Sequence, residues 1–268
     1  MSRYNISKAS KTLNISSELL RHYERLGLIE PKRAENGYRF FNAQDLDKLQ
    51  GIRRYRNMGF SLAEMERLMY TADYNETYEL HLHSLEETRR ELAWQQALCA
   101  STEQILCELE QIAENVGRIE ETMSPQILRV NMRHNGDLDE GVDTGRIAQW
   151  LEYMPVAFIS PAFHREEILA GTKDIWFGYG IRVEAFEQLG LEHIGGEVCI
   201  PGMRCLTTVI FSAGDSFISC EKLAPVVAYC EEKDLEICGD AWGVTLGNFS
   251  LEGVTHRYHR VFVPIRER

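Results

Sequence analysis

Arg21, His22 and Tyr23 stand together on a short segment opened by Ser16, and Arg33, Tyr38 and Arg39 follow closely along the chain. A guanidinium is a planar fork of donors that chelates guanine O6 and N7 or pairs with a phosphate. A tyrosine hydroxyl donates to a phosphate while its ring packs inward, and His22 keeps a polar edge in the same run. Arg53, Arg54 and Arg56 add charge further on, part of it read as a solvated face. Ser61 opens a helix whose first amides suit a phosphate. Together these residues suit the phosphate backbone and major groove of double-stranded DNA, with Ser16, Arg21, His22, Tyr23, Arg33, Tyr38, Arg39, Arg56 and Ser61 as the contact set.

The elements that must position them are legible. Ile6, Ala9 and Leu13 fall on one face of a first helix, which Asn14 breaks. Ser16 caps a second helix, with Glu18 in its first turn and Leu19, Tyr23 and Leu26 on its buried side. Gly27 supplies the left-handed residue that stops it. Two short helices about a tight turn make a helix-turn-helix. Ile29 to Lys32 and Tyr38 to Phe41 then form a hairpin, its turn signalled by Asn36 and Gly37, and Lys32, Arg33, Tyr38 and Arg39 line this wing. Further helices run from about Ala43 to Asn57 and from Ser61 to about Thr71, the latter with Leu62, Met65, Leu68 and Met69 facing in.

Charge divides along the chain. The formal net charge is −12, yet residues 1–60 hold 12 Lys/Arg against 6 Asp/Glu, so the rest carries −18. A basic head meets phosphate and an acidic body repels it. The chain of 268 residues has room for two domains, shows no signal-peptide pattern or membrane-spanning run, and is expected to be cytoplasmic without a membrane partner. Its seven cysteines are odd in number and form no C-x-x-C pair, which predicts free thiols.

From about Asn75 to Ile119 the only glycine is Gly117 and there is no proline. Leu98, Thr102, Ile105, Leu109, Ile112, Val116 and Ile119 alternate at four and three, and Leu85, Leu92, Cys99, Leu106 and Ala113 repeat at seven. This predicts a continuous helix of ~65 Å that needs a partner helix, most simply from a second copy. Trp94 and Thr102 are read as packing residues of this seam. After Ser124 and Pro125 the texture turns to strands at 127–134, 154–162, 175–186, 196–200, 203–211, 241–249 and 257–265, with helices at 143–153, 165–171 and 219–232. The order strand, helix, strand, strand occurs twice, which predicts an α+β domain built by duplication. The expected division is 1–74, a winged helix-turn-helix; 75–120, a dimerisation helix; and 121–268, the α+β domain.

That last segment is rich in large rings: Trp150, Tyr153, Phe158, Phe163, Trp176, Phe177, Tyr179, Trp242, Phe249 and Tyr258. Most, taken singly, read as ordinary core. A subset around a concavity would suit a planar apolar ligand, and a buried carboxylate would favour a cation. Glu184, placed on a strand whose alternation puts 176, 178, 180, 182 and 184 on one face, is the expected carboxylate. The expected effector set is Trp150, Tyr153, Phe158, Trp176, Tyr179, Glu184, Trp242, Phe249 and Tyr258.

The run from Tyr4 to Ser7, with Ala9, Leu13 to Ser16, Leu20 to Glu24, Gly27 to Ile29, Pro31, Arg33, Gly37 to Arg39 and Gly59 to Leu62, closely resembles the MerR family of bacterial transcription regulators over residues 3–70. The tail, about 125–268, resembles the GyrI-like effector domain of multidrug-sensing, BmrR-like members. The resemblance implies a homodimer joined by an antiparallel coiled coil, bound to a promoter with an overlong spacer. It implies that a lipophilic, often cationic aromatic effector leads the dimer to bend and untwist the DNA for RNA polymerase, activating multidrug-resistance genes. BmrR-like tails carry a glutamate after the aromatic at the start of the penultimate strand. Here Gly243 follows Trp242, so either Asp240 or Glu184 substitutes, neutral ligands are accepted too, or the glycine opens space above the ring.

Three other readings compete. A metal- or redox-sensing member of the family is the nearest alternative, but Cys99 and Cys107 lie eight residues apart, out of line on a helix, and His81 and His83 make a weak pair. An enzyme is not expected, because no nucleophile elbow, HExxH or phosphate loop is present. A binding protein that titrates drugs without regulating fits poorly with the basic head. No cofactor and no metal are expected.

Overall fold

The computed structural model describes residues 4–33, 37–139, 143–214 and 216–268. The chain divides into two compact units, Met1–Glu91 and Leu92–Arg268. In the first, β1 (Tyr4–Asn5) leads into α1 (Ile6–Leu13) and α2 (Ser17–Arg25), followed by β2 (Lys32–Arg33), β3 (Arg39–Phe41), α3 (Ala43–Asn57) and α4 (Leu62–Tyr70). Asn5 caps α1 by accepting from the Lys8 amide at 2.8 Å, and Asn14 ends it in the left-handed region at φ 48°. Ser16 caps α2 by accepting from the Leu19 amide at 3.1 Å, and Gly27 follows with φ 74°. The wing is the three-stranded order β1-β3-β2. Pairing of β1 with β3 ties the chain start to the wing, which the helical reading of the first residues missed. Ala34, Glu35 and Asn36 of the expected turn lie outside the described residues.

The core of this unit gathers Ala9, Leu13, Leu20, Tyr23, Phe41 and Ile52. Two details of the sequence reading are corrected. The buried face of α2 is Leu20 and Tyr23 with Leu19 half-buried, whereas Leu26 is 42% exposed. Leu26 lies past the last turn of α2, where the chain has left the helical period. Leu62 is the first residue of α4 and is also exposed, leaving Met65 as the buried anchor.

α5 spans Tyr74–Glu110 and α6 only Ile112–Asn115. The expected helix to Ile119 is therefore cut short. Val116 bridges to Val209, Gly117 adopts φ 73°, and Ile119 packs against the sheet core. The last apolar residues of the heptad pattern serve the sheet rather than a partner helix.

The second unit continues with β4 (Glu120–Met123), β5 (Ile127–His134), β6 (Asp137–Leu138), α7 (Thr144–Glu152), β7 (Phe158–Phe163), α8 (Arg165–Ala170), β8 (Trp176–Arg182), α9 (Val183–Gln188), β9 (Val198–Ile200), β10 (Arg204–Ala213), a 3-10 turn at Cys220–Leu223, α10 (Ala224–Glu232), β11 (Leu235–Ile237), β12 (Ala241–Leu251) and β13 (Val254–Glu267). The sheet order is β4-β10-β13-β12-β7-β8-β5-β6, with β9 on β5 and β11 on β13. The expected repeat is visible in that order: β5-α7-β7-β8 and β10-α10-β12-β13 mirror one another across the β7–β12 contact. Residues 154–156, expected to open β7, instead form a turn with a cis Met154–Pro155 bond.

Glu184 requires a larger correction. The strand expected over 175–186 ends at Arg182, and Glu184 sits in the first turn of α9. Phe186 is buried and Ala185 and Leu189 pack beside it, a three-to-four spacing that overrides alternation.

The sheet interior holds one titratable group with a consequence for stability. His259 on β13 is 3% exposed and its Nδ1 lies 3.0 Å from Thr245 Oγ1. Burial, with the Arg257 charge added, pushes its imidazole down to about 4. The unfolded chain thus binds this proton first as pH falls below the ordinary histidine value near 6.5, so the stabilisation present at neutral pH is lost on the way to pH 4. The loss amounts to roughly 3 kcal/mol at about 1.4 kcal/mol per pH unit. All four tryptophans, 94, 150, 176 and 242, belong to this unit, so tryptophan fluorescence reports its unfolding. Urea midpoints of the wild type and His259→Gln should converge between pH 7 and 4.5; a gap that does not change with pH would mean the imidazole is not held neutral.

Candidate nucleic-acid interface and ligand cavity

With Leu20 and Tyr23 locked in the core, Arg21 and Arg25 are left on the exposed side of α2. Ser16 at its start is also exposed, and His22 is half-buried with its ring centroid 6.3 Å from that of Tyr23. Tyr23 is both core and polar: the Arg56 Nη1 donor lies 3.5 Å from its hydroxyl. On the wing, Arg33 is exposed and Tyr38 extends outward, 77% exposed. Arg39 is engaged by Glu24 at 2.6 Å, an ion pair that ties the wing to α2. Arg21, Arg25 and Arg39 border one shallow depression with Glu18 and Glu24.

Ser61, an expected phosphate contact, is already engaged within its own helix. Ser61 caps α4 in a capping box, and both its amide (2.8 Å) and its hydroxyl (2.7 Å) donate to the Glu64 carboxylate. Those bonds hold the Glu64 carboxyl below its usual range. A phosphate binding there must compete with a built-in anion. Arg53 donates to the Leu13 carbonyl and so closes the end of α1 rather than facing solvent freely.

In the second unit the two halves of the sheet are joined, among the described residues, by two ladder pairs, Ala241↔Phe163 and Trp242↔Ala162. Trp242 borders two cavities. The first, of about 560 Å³, is lined by Trp150, Trp176 and Trp242 together with Arg129, Asn131 and His164 among others. The second, about 360 Å³, is lined by Phe158, Trp242, Val244 and Ile105 with Glu108 and Glu184.

The expected effector residues therefore separate. Trp150, Trp176 and Trp242 meet at the first cavity, and Phe158, Glu184 and Trp242 at the second. Glu184 and Trp176 share no cavity, a direct result of Glu184 lying on α9. Tyr153 packs edge-on to Trp150, 6.4 Å between centroids, and Tyr179 is buried in the same core. Burial first, then the charges of Glu152, Glu192 and Glu197, pushes the Tyr153 phenol up. Phe249 and Tyr258 line neither cavity; they pair at 5.6 Å beside Phe211 on β10.

Trp176 is the ring most elaborately held. His134 stacks on it at 4.2 Å and 15°, and His164 meets it edge-on at 5.8 Å. Asp174 fixes His134, and Asp240 fixes His164 at 3.1 Å. These histidines, Asp240 as a histidine holder, and Arg129 were not in the expected set. A charged residue between Leu128 and Val130 in an expected strand was the available signal for Arg129.

Gly243 has a steric role. A Cβ there would sit 2.5 Å from the Arg260 carbonyl oxygen and 3.1 Å from Pro161 Cγ. The glycine permits close approach of β12 to β13 and opens no space above Trp242. All seven cysteines are free thiols, and among the described residues no group of three or more His, Cys, Asp or Glu side chains is placed to hold a metal. Among the described residues no helix is long and apolar enough to cross a membrane.

The profile of the MerR HTH family of regulatory proteins matches residues 4–71. The mercuric resistance operon regulatory protein of Bacillus cereus is 33% identical over 96 residues, covering 34% of this chain and 73% of its own. The transcriptional regulator BrlR of Pseudomonas aeruginosa is 28% identical over 186 residues, covering 66% of this chain and 63% of its own. The cryo-EM structure of an EcmrR–DNA complex covers 99% of this chain at 14% identity, with a TM-score of 0.35 that carries no weight.

Because its Cβ has nowhere to go, Gly243→Ala should cost roughly 1–3 kcal/mol, the usual range for overpacking, and Gly243→Glu at least as much. Tryptophan-detected melting checks this. A Gly243→Glu protein that melts with the wild type would show that β12 has room for a side chain here.

Proposed function

This chain belongs to the MerR HTH family of regulatory proteins, and from that premise we propose that it is a ligand-responsive transcription regulator. It binds an inverted-repeat promoter operator as a homodimer and answers a lipophilic aromatic effector by distorting the DNA, so that RNA polymerase initiates. The observation that carries this reading is α2, whose Leu20/Tyr23 face is committed to the core and whose Arg21 faces outward beside an exposed, basic wing. A helix so presented fits a major groove, with the wing on adjacent phosphates. Residues 1–74 are the DNA-binding part, 75–120 the dimerisation helix, and 121–268 a GyrI-like effector-binding part.

The dimer is supported by α5. Leu85, Leu92, Cys99 and Leu106 recur every seven residues and are all exposed, Leu92 by 56%. Such a line on one helix suits a second copy of the same helix. The neighbouring seam is shared: Leu98 and Leu109 are half-buried, while Thr102 and Ile105 are exposed.

The effector reading rests on the cavity with three tryptophans, whose size and apolar rings suit a drug-sized planar molecule. Likeness of the tail to multidrug-sensing relatives favours drug-resistance genes as targets. A cationic ligand was expected through Glu184, but that carboxylate borders the other cavity.

Arg21→Ala should weaken binding to an operator selected from random duplex by about tenfold or more, the range for loss of one guanidinium contact, with the dimer intact by sedimentation. Leu85→Glu with Leu92→Glu should give a monomer that also loses the palindrome. Wild-type affinity in Arg21→Ala would sink the groove assignment, and a dimer surviving both glutamates would sink the α5 interface.

A further inference from the structure

The first cavity holds a buried cation, Arg129, with which no carboxylate among the described residues forms an ion pair. Arg129, on β5, is 6% exposed. Register places Arg129, Gly180 and Phe158 side by side across β5, β8 and β7, and Asn131, Gly178 and Ser160 in the next row of the same face. With no side chains on Gly178 and Gly180, the guanidinium crosses β8 to reach Ser160. Its Nε donates to Ser160 Oγ at 3.1 Å, Nη2 to the Ser160 carbonyl at 2.9 Å, and Nη1 to Asn131 Oδ1. A guanidinium has five N–H groups, so one donor remains on each Nη, the spacing that a carboxylate accepts in a fork. Every partner is neutral, and among the described residues no carboxylate forms an ion pair with Arg129. Burial pushes this guanidinium down to about 10, which leaves it charged at neutral pH.

Trp150, Trp176 and Trp242 all line this cavity, while their indole Nε1 atoms are closed off from solvent and, among the described residues, have no hydrogen-bond partner. Of the aspartates that line it, Asp240 already accepts from His164 and from the Arg165 amide, and Asp143 caps α7 through the Gly145 amide. Asp139 forms no ion pair with Arg129 among the described residues.

Resting on the reading of this cavity as the effector site, we propose that it selects an aromatic ligand bearing a carboxylate, with Arg129 as the counter-charge and the tryptophan rings as the walls. The ring system lies against the tryptophans and the carboxylate takes the two unspent guanidinium donors.

Three probes of one shape separate the possibilities: 2-naphthoate, 2-naphthamide and 2-naphthylmethylammonium, titrated into the full chain by calorimetry and tryptophan quenching. The acid should bind about tenfold or more tightly than the amide, as a charge-assisted fork predicts, and the ammonium most weakly. Arg129→Gln should bring the acid down to the amide's affinity and leave the amide unchanged, while Arg129→Lys should recover part of the difference. If Arg129→Gln does not fold, the wild-type ranking decides alone. Amide or ammonium binding as tightly as the acid, or an unchanged acid affinity in folded Arg129→Gln, would overturn the carboxylate preference and leave the effector cavity standing. Binding by none of the three at about 1 mM, the weak end of specific affinity, would overturn both.

Discussion

The two-residue join between β7 and β12 is the constraint from which the second unit follows. Each half of the duplicated sheet forms its own antiparallel ladders, β10-β13-β12 and β7-β8-β5, with long registers. Among the described residues the halves are joined in the ladder by Ala241↔Phe163 and Trp242↔Ala162. Trp242 seals the join, 1% exposed, stacked on Phe262 at 4.6 Å and 30°. Gly243 lets β12 press against the Arg260 backbone.

α5 shows how one helix serves two demands. Within Leu92–Arg268 it is bound by Ala97 in the core, by Ser101 Oγ donating to the Pro155 carbonyl at 2.8 Å, and by Glu108. Arg260 grips Glu108 in a bidentate pair at 2.6 and 2.8 Å, both side chains less than one-fifth exposed. Within Met1–Glu91, Ser84 Oγ donates to the Met58 carbonyl at 3.0 Å and His81 packs against Phe60 at 5.1 Å. A half-buried, bidentate pair holds geometry better than a fully exposed one, because either partner left alone would be a poorly solvated charge. Arg260 also supplies the carbonyl that Gly243 approaches, so the close β12–β13 contact and the helix anchor share one residue.

Much of this was legible because it is local. Ser16, Asn14, Gly27, Gly59 and Ser61 punctuate the first unit where capping and left-handed turns require them. Strand and helix order in the second unit, and its duplication, also followed from pattern. What escaped was set by tertiary packing. The heptad continues to Ile119 in sequence, but β10 claims Val116 as a neighbour and turns the chain away. Alternation through 176, 178 and 180 holds, yet Phe186 finds a core that only a helix reaches, so Glu184 leaves the face. Arg129 escaped because the expected ligand was a cation needing a carboxylate, although a charge between Leu128 and Val130 marks the position.

The charge of the whole and the charge of the cavity oppose one another. Residues beyond 60 carry −18, so the long-range field repels an anion. That field falls off over a Debye length of about 8 Å at physiological salt. Arg129 acts at contact, from a site 6% exposed, where screening is weak and its hydrogen bonds are directed. The two effects fall on different rate constants. Repulsion slows encounter and is relieved by salt, whereas the guanidinium fork governs escape. A pocket of this kind takes up anions slowly and holds selectively those whose rings also fill the tryptophan walls, and small inorganic anions, lacking rings, gain only the fork.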